Sequence, residues 1–432
     1  MNSNSKLGIF YFPDAQHYHA RASERWLPVL SSHGVSWLVL TAEKIIAIPE
    51  AFIQSVLDNH ITPIIRLADL PIEHTSLSEF ELLIRAYSQW GVRYVQLFDR
   101  PNSTAFWGLK SWASSNLIEQ FIDLFLPYAE ILIKYHIRPV FPGLEVAKAF
   151  WDTAFLRLSL ESLVRRGHQW LSDELILSAY LDIYDPVRPL NWGAGGQERW
   201  PDAKPYQTPS QSQDHRGLYI ADWYQTLAKA TLGKPLPIIL LDDPSRKQLP
   251  LPQEEVNRRI IHTIQRLLDP RQNETLEIEG VNYEPLTEEI LCVNFNGLVT
   301  GEREEEPRAW FFSNGEPRQI ARKIREYLGV NAEQTRQEKP IHHALLLPQL
   351  EVETLNRVLE KLKPFLIQYQ PKIIFQLHEA AQAERVWFPE ELIQLTEKEL
   401  VELENISCTI HPFRLDGISI ASHLVNSSVE AL

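Results

Sequence analysis

Eight short apolar runs, each followed by a helical or helix-like segment, constrain this chain more than any other feature of it. The runs are Leu7–Phe12, Ser36–Leu40, Pro63–Leu67, Tyr94–Phe98, Arg138–Phe141, Leu175–Tyr180, Pro237–Leu241 and Ile290–Phe295. Helical patterns fall between them at Glu24–Ser32, Glu50–Asn59, Leu77–Trp90, Leu117–Tyr135, Thr153–Arg166, Ile220–Leu232 and Glu254–Leu268. Gly34, Gly91, Gly167 and Gly233 stop four of these helices, and Pro270 follows another. Alternation of this kind predicts βαβ units and a parallel sheet. The runs are almost continuously apolar, as strands covered on both faces are. A doubly wound open sheet alternates in the same way. The count of eight, the lack of a G-x-G-x-x-G turn after the first run and polar residues at the run ends favour a closed (β/α)8 barrel of the TIM type. Such a barrel takes roughly 250 residues, more with insertions, which leaves room in 432 residues for one small further domain.

A basic helix at Arg318–Leu328 closes the barrel part, read as residues 1–329. Residues 330–339 are polar and without period, a linker. From Pro340 onward alternation resumes. Strands are expected at Ala344–Leu347, Lys372–Gln376, Val386–Phe388, Thr409–His411 and Ile418–Val425. Helices are expected at Val352–Gln368, at Glu379–Glu384 and near Glu397–Leu403. This is a small α/β domain over 340–432. The acidic run Glu302–Glu306 reads as a solvated loop.

Several function classes are disfavoured by composition. The formal net charge of −14 argues against nucleic acid and against an anionic membrane surface. The two cysteines, Cys292 and Cys408, lie far apart and in different expected domains, which argues against a disulfide framework or thiolate metal site. No apolar run reaches the length of a membrane span, and the start of the chain lacks the pattern of a secretory signal, so a cytosolic protein is expected. His17 and His19 lack the carboxylate spacing of a metal pair. His342 and His343 are adjacent and point to opposite faces in a strand. No nucleophile elbow, P-loop or kinase signature is present, and no cofactor is expected.

In barrels, reactive groups project from the C-terminal strand ends. Those ends carry Asp14 after run one, Arg66 in run three, Asp99, Arg100 and Asn102 after run four, and Glu145 after run five. Tyr180 and Asp182 belong to run six, Asp242 and Asp243 to run seven, Asn294 and Asn296 to run eight. Runs four and seven face one another across the mouth, where paired carboxylates can flank a sugar ring. Asp-Arg-Pro-Asn and Asp-Asp-Pro-Ser are equally good turn sequences. Trp107, Trp112, Trp151, Trp192 and Trp200 all fall in or beside the connections after runs four, five and six. Their rings suit pyranose faces, though some must simply pack the rim. The stretch Asp185–Gly217 is long for a connection without period, and such loops are usually functional or disordered. It is expected to wall the mouth, with Trp192 and Trp200 lining it.

On these residues the chain resembles the large clan of retaining glycoside hydrolases built on (β/α)8 barrels. In that clan strand four ends in Asn-Glu-Pro, the Glu being acid/base, and strand seven ends in a nucleophilic Glu. Here the fourth run reads Tyr94-Val-Gln-Leu-Phe-Asp-Arg-Pro-Asn102, and the seventh Pro237-Ile-Ile-Leu-Leu-Asp-Asp243. Trp310-Phe-Phe-Ser-Asn-Gly-Glu-Pro317 is similar to the clan's closing Trp-x4-Gly-x-Pro segment, and Tyr180 matches a tyrosine that there hydrogen-bonds the nucleophile. The resemblance covers residues 6–328 and implies a carbohydrate or glycoside ligand. It places Asp242 at the nucleophile, Arg100 at the acid/base and Asp99 at the preceding Asn; the catalytic candidates are then Asp242, Asp99 and, as a substitute acid, Glu145. Asp14, Arg66, Arg100, Asn102, Tyr180, Trp192, Trp200, Asn294 and Trp310 become the expected ligand contacts. Because Arg cannot donate a proton near neutral pH, binding without fast hydrolysis is expected. A non-catalytic scaffold that keeps the barrel for its surfaces is the alternative.

The polar stretch before Pro340 and the separate alternation after it predict two independently folding parts. A chain ending near Gly329 should remain soluble and melt cooperatively in calorimetry. Aggregation of that shortened chain would mean that the two parts share a core.

Overall fold

The computed structural model describes residues 5–70, 76–112, 114–146, 150–245, 249–269, 274–299, 306–329, 341–348, 350–369, 371–375, 383–390, 392–393 and 409–415. The expected linker, the helix near Glu397–Leu403, the strand Ile418–Val425, Cys408 and most of the acidic run at 302–306 lie outside these residues. The chain divides into two compact units, Met1–Gly329 and Val330–Leu432.

The first unit runs β1 (Leu7–Phe10), α1 (Ala20–Ser32), β2 (Trp37–Thr41), α2 (Glu50–Asp58), β3 (Thr62–Leu67), α3 (Leu77–Gln89) and β4 (Tyr94–Leu97). It continues with α4 (Thr104–Trp112), α5 (Leu117–Lys134), β5 (Arg138–Val140), α6 (Asp152–Arg165), β6 (Leu177–Leu181), α7 (Gly196–Arg199), α8 (Ile220–Leu232) and β7 (Ile238–Asp242). It ends with α9 (Gln253–Leu268), a hairpin of β8 (Leu276–Ile278) and β9 (Val281–Tyr283), then β10 (Ile290–Phe295) and α10 (Gln319–Tyr327). The sequence pattern did not reveal α4, the single turn α7 or the hairpin.

Eight strands pair in the order β5-β4-β3-β2-β1-β10-β7-β6, every pair parallel. The two ends of that order meet. Val140 bridges Ile176 in parallel, Phe141 N–H donates to Ile176 O at 2.7 Å, and Ile176 N–H donates to Pro139 O at 3.0 Å. The sheet is therefore a closed barrel, with β10 as its eighth strand. Its interior is packed by Phe10, Val39, Ile64, Val140, Ile176, Tyr180, Ile239, Leu241 and Cys292. The alternate residues, such as Ile9, Leu38, Ile65, Val95, Leu240 and Val293, join the larger core between strands and helices. This two-sided burial is why the strands read as unbroken apolar runs.

Val330–Leu432 contains β11 (Ile341–Leu346), α11 (Val352–Tyr369), β12 (Lys372–Ile374), β13 (Ala383–Pro389) and β14 (Thr409–Phe413). Its four strands pair in parallel in the order β12-β11-β13-β14, the arrangement of a doubly wound sheet. Leu345, Leu347, Trp387 and Phe413 bury against Val358, Leu362 and Phe365 of α11. Glu384, expected in a helix, belongs to β13. Among the described residues no helix is long and apolar enough to cross a membrane.

Gly8 in β1 is fixed by close approach. A Cβ there would stand 2.1 Å from Asn294 Oδ1 and 2.9 Å from Trp37 Cβ. Gly8→Ala should therefore lower the denaturant midpoint by the equivalent of about 1–3 kcal/mol, the usual cost of overpacking. Removing the obstructing amide in Gly8→Ala/Asn294→Ala should recover part of that loss. A single variant as stable as the parent would contradict this packing.

Candidate functional site

At the end of β4 the backbone turns sharply. Phe98 (φ 62°) and Arg100 (φ 49°) both adopt left-handed conformations on either side of Asp99. Such a conformation in a residue other than glycine costs on the order of 1–3 kcal/mol and persists where surrounding contacts over-determine it. Here Phe98 is fully buried and its N–H bonds Leu67 O at 3.0 Å, while Arg100 N–H bonds Gly143 O at 2.9 Å. The turn presents Asp99 and Arg100 side by side at the barrel mouth.

Five side chains from four strands meet there. Arg66, on the inward face of β3, places Nη2 2.8 Å from Asp99 Oδ2 and donates to the Tyr180 hydroxyl of β6 at 3.2 Å. That hydroxyl donates in turn to Asp99 Oδ1 at 2.5 Å. Arg100 lays its guanidinium 4.5 Å from the Tyr180 ring centre and pairs with Asp243, just beyond β7, at 2.5 Å. Gly143 leaves room for the ring, since a Cβ there would come within 2.7 Å of it. Burial raises Asp243, but the Arg100 charge and two hydrogen bonds from Ser245 outweigh it and hold the carboxyl below its ordinary value. Burial pushes the Tyr180 phenol well above its ordinary value, and the Asp99 charge adds to that. Tyr180 therefore remains a neutral donor at physiological pH.

Asp242, assigned by the resemblance to the nucleophile, lies elsewhere. Ile238, Leu240 and Asp242 share one face of β7, and Ile239 and Leu241 face the barrel interior. Asp242 thus points into the layer outside the barrel and is 1% exposed. Arg308, equally buried, meets its Oδ1 at 3.1 Å. Tyr184 donates to Oδ2 at 3.0 Å, and Asn296 N–H at 3.1 Å. Burial raises Asp242 to about 6 against the lowering pull of Arg308 and the hydrogen bonds. Arg308 also reaches Asp243 O at 2.9 Å. This pair is a clamp between β7 and the segment after β10. The hydroxyl on Asp242 is that of Tyr184, whereas Tyr180 serves Asp99.

The remaining expected residues scatter. Asn102 is buried and uses its amide on Glu145 O and Phe150 O, each 2.8 Å, and on Glu145 N–H at 2.9 Å. It fastens the connection after β5 and thereby orients Glu145, which is half-buried. Asp14 pairs with His17 at 2.6 Å on a separate turn. Asn294 lies within the barrel wall beside Gly8. Trp310 is fully buried. Trp192 N–H goes to Asp214 at 3.0 Å and Trp200 N–H to Ala194 O at 2.9 Å, so both tryptophans bond within their own loop. Around them Asp222 and Trp223 of α8, Arg259 of α9 and Asn282 of the hairpin hold that loop. The indole N–H groups of Trp192 and Trp200 are thus engaged away from the five-residue cluster. The sequence marks Asp243 only as one of the polar strand ends, without a role of its own, and does not mark Arg308.

No protein-family model and no curated protein matches the chain. Among solved structures it is similar to a monomeric β-xylosidase from Caulobacter crescentus CB15, at TM-score 0.46 and 11% identity over 76% of this chain and 68% of that one. It is also similar to a Bifidobacterium longum GH5_18 enzyme solved with Manβ1-4GlcNAc, at TM-score 0.44 and 11% identity over 94% and 96% of the two chains. A fructose-bisphosphate aldolase from Plasmodium falciparum matches at TM-score 0.38 and 12% identity over 77% and 90%. Likeness at this level carries no functional argument. The barrel rests on its own strand pairing, and among the described residues no group of three or more His, Cys, Asp or Glu is placed to hold a metal.

If Asp242 is a clamp, its loss shows in stability. Asp242→Asn should destabilise the barrel unit by about 1–3 kcal/mol in denaturant unfolding, because it takes one of two carboxylates from the buried Arg308, which keeps Glu306 at 3.0 Å. Arg308→Met/Asp242→Leu, which removes both charges, should recover much of that loss. A fully stable Asp242→Asn protein would contradict the clamp.

Proposed function

We propose that the barrel mouth binds a carbohydrate and does not hydrolyse it by a retaining double displacement. The observation that carries this reading is the Arg100–Asp243 ion pair at the place where such a mechanism needs a proton donor opposite a free carboxylate. A retaining cycle requires one carboxylic acid to protonate the leaving oxygen and a second carboxylate to attack. Arg100 cannot supply the proton. Asp243 is held ionised and engaged, and Asp242 is buried beneath Arg308. Asp99 already accepts from Tyr180 and Arg66.

Binding is supported by the same residues. Two guanidinium groups, one laid over the Tyr180 ring, two carboxyls and the Tyr180 phenol form a preorganised polar floor held by mutual contacts, the kind of convergent polar group that orients a ligand in a pocket. The scaffold alternative draws support from the engagement of Trp192 and Trp200 within their own loop.

A glycan array beside a panel of aryl glycosides separates these outcomes. At least one glycan should bind, with turnover far below the ordinary enzyme range of roughly 1–10³ per second. Asp243→Asn should weaken binding by about 1.5–3 kcal/mol, the worth of a hydrogen bond to a charged group. Trp192→Ala should leave it nearly unchanged. Turnover in the enzyme range that disappears in Asp243→Asn would establish a hydrolase instead. Failure of every glycan to bind would favour the scaffold.

A further inference from the structure

The mouth has unpaired donors, whereas three of the four oxygens of its two carboxyls, Asp99 Oδ1, Asp99 Oδ2 and Asp243 Oδ1, already carry partners. Arg66 Nε, Gln96 Nε2 and Arg100 Nε are buried and have no hydrogen-bond partner among the described residues. Arg66 is 8% exposed and Gln96 1%. The two are register partners on β3 and β4, and Gln96 pairs across to Val140 of the barrel interior, so both face inward. Arg100 approaches from the turn above, and its guanidinium and that of Arg66 reach the same tyrosine, one over the ring and one at the hydroxyl. On the acceptor side, Asp99 Oδ1 takes the Tyr180 hydroxyl and Oδ2 faces Arg66. Asp243 Oδ1 takes Arg100 together with the Ser245 N–H and hydroxyl. A further buried acceptor without a partner, Asn294 Oδ1, is wedged against Gly8 on the other side of the barrel.

This inventory discriminates between ligands. A sugar hydroxyl brings a donor with each acceptor, and that donor would meet carboxyl oxygens of which three in four are already in use. A carboxylate brings acceptors only, with about four lone-pair sites, and planar guanidinium groups match its geometry. We infer that the site takes an acidic sugar, a uronate, with its carboxylate received by Arg66, Arg100 and Gln96. The inference rests on the carbohydrate reading and narrows it to one chemical class. The overall charge of −14 opposes an approaching anion only over the distance that salt leaves unscreened, about 8 Å at physiological ionic strength.

The test compares one uronic acid glycoside, its methyl ester and the parent neutral sugar by titration calorimetry on the full chain, with sodium acetate as a control. The uronate should bind at least about tenfold more tightly than its ester, since only the free acid forms charge-assisted bonds, and added salt should narrow the gap. Arg100→Lys keeps the positive charge but removes the Nε donor, and should lower uronate affinity by a clearly larger factor than ester affinity. Gln96→Leu should do the same and is an apolar replacement in an apolar barrel. Equal affinity for acid and ester would overturn the uronate assignment and leave carbohydrate binding standing. Acetate matching the uronate would overturn the sugar part of the inference. No binding by any of the three sugars would overturn this inference, while the carbohydrate reading beneath it falls only if the glycan array is also blank.

Discussion

Asp242 ends β7 and Asp243 follows it directly, and an extended chain turns successive side chains to opposite faces. Asp242 falls with Leu240 toward the helices and is clamped by Arg308. Asp243 falls with Leu241 toward the interior and meets Arg100. The whole mouth depends on that parity. A shift by one residue would bury Asp243 and open Asp242. The clamp opposes such a shift, since Arg308 binds both the Asp242 carboxyl and the Asp243 carbonyl. Structural and surface roles are thus assigned by neighbouring positions of one strand.

Much of the fold was legible because closed parallel barrels impose a pattern of lengths. Apolar runs of four to six residues, separated by helices with glycine stops, leave few alternatives, and the eight strands were read in nearly the right places. The parity of each strand was not legible. Pro237-Ile-Ile-Leu-Leu-Asp-Asp243 is apolar on both faces up to its end, so nothing in the run says which aspartate points inward. An antiparallel strand with one wet face would have said so by alternation. The same blindness covers Asn102, which reads as a mouth residue by position and spends its amide on holding the next connection.

The aromatic signal is ambiguous for a related reason. Tryptophan in a long connection suits a sugar face and also suits a loop that must build its own core. Trp192 and Trp200 direct their indole N–H groups to acceptors of their own loop, Arg188 and Arg199 lie over their rings, and helices α8 and α9 fix the backbone around them. Composition counts the rings and cannot tell which way they face. The residues that do converge at the mouth are charged or phenolic, and they were visible only as separate strand ends.

The strain at Phe98 and Arg100 gives the cluster its direction. An unstrained extended continuation of β4 would have sent Asp99 and Arg100 to opposite faces, one into the barrel and one into the helix layer. The two left-handed residues break that alternation, so that Asp99 reaches Arg66 and Tyr180 while Arg100 crosses the same ring to Asp243. Opposite charges at these distances then reinforce the turn, and burial of Arg66 and Tyr180 strengthens each contact by excluding water. An arrangement in which carboxyls are committed to guanidinium groups has little capacity for proton transfer, yet it is rigid and polar, which suits selective recognition. On the proposed reading, the turn that strains the backbone also commits Asp99 and Asp243 to guanidinium groups, so the ion pairs that would hold the site ready for a ligand also keep those two carboxyls from protonating a leaving group.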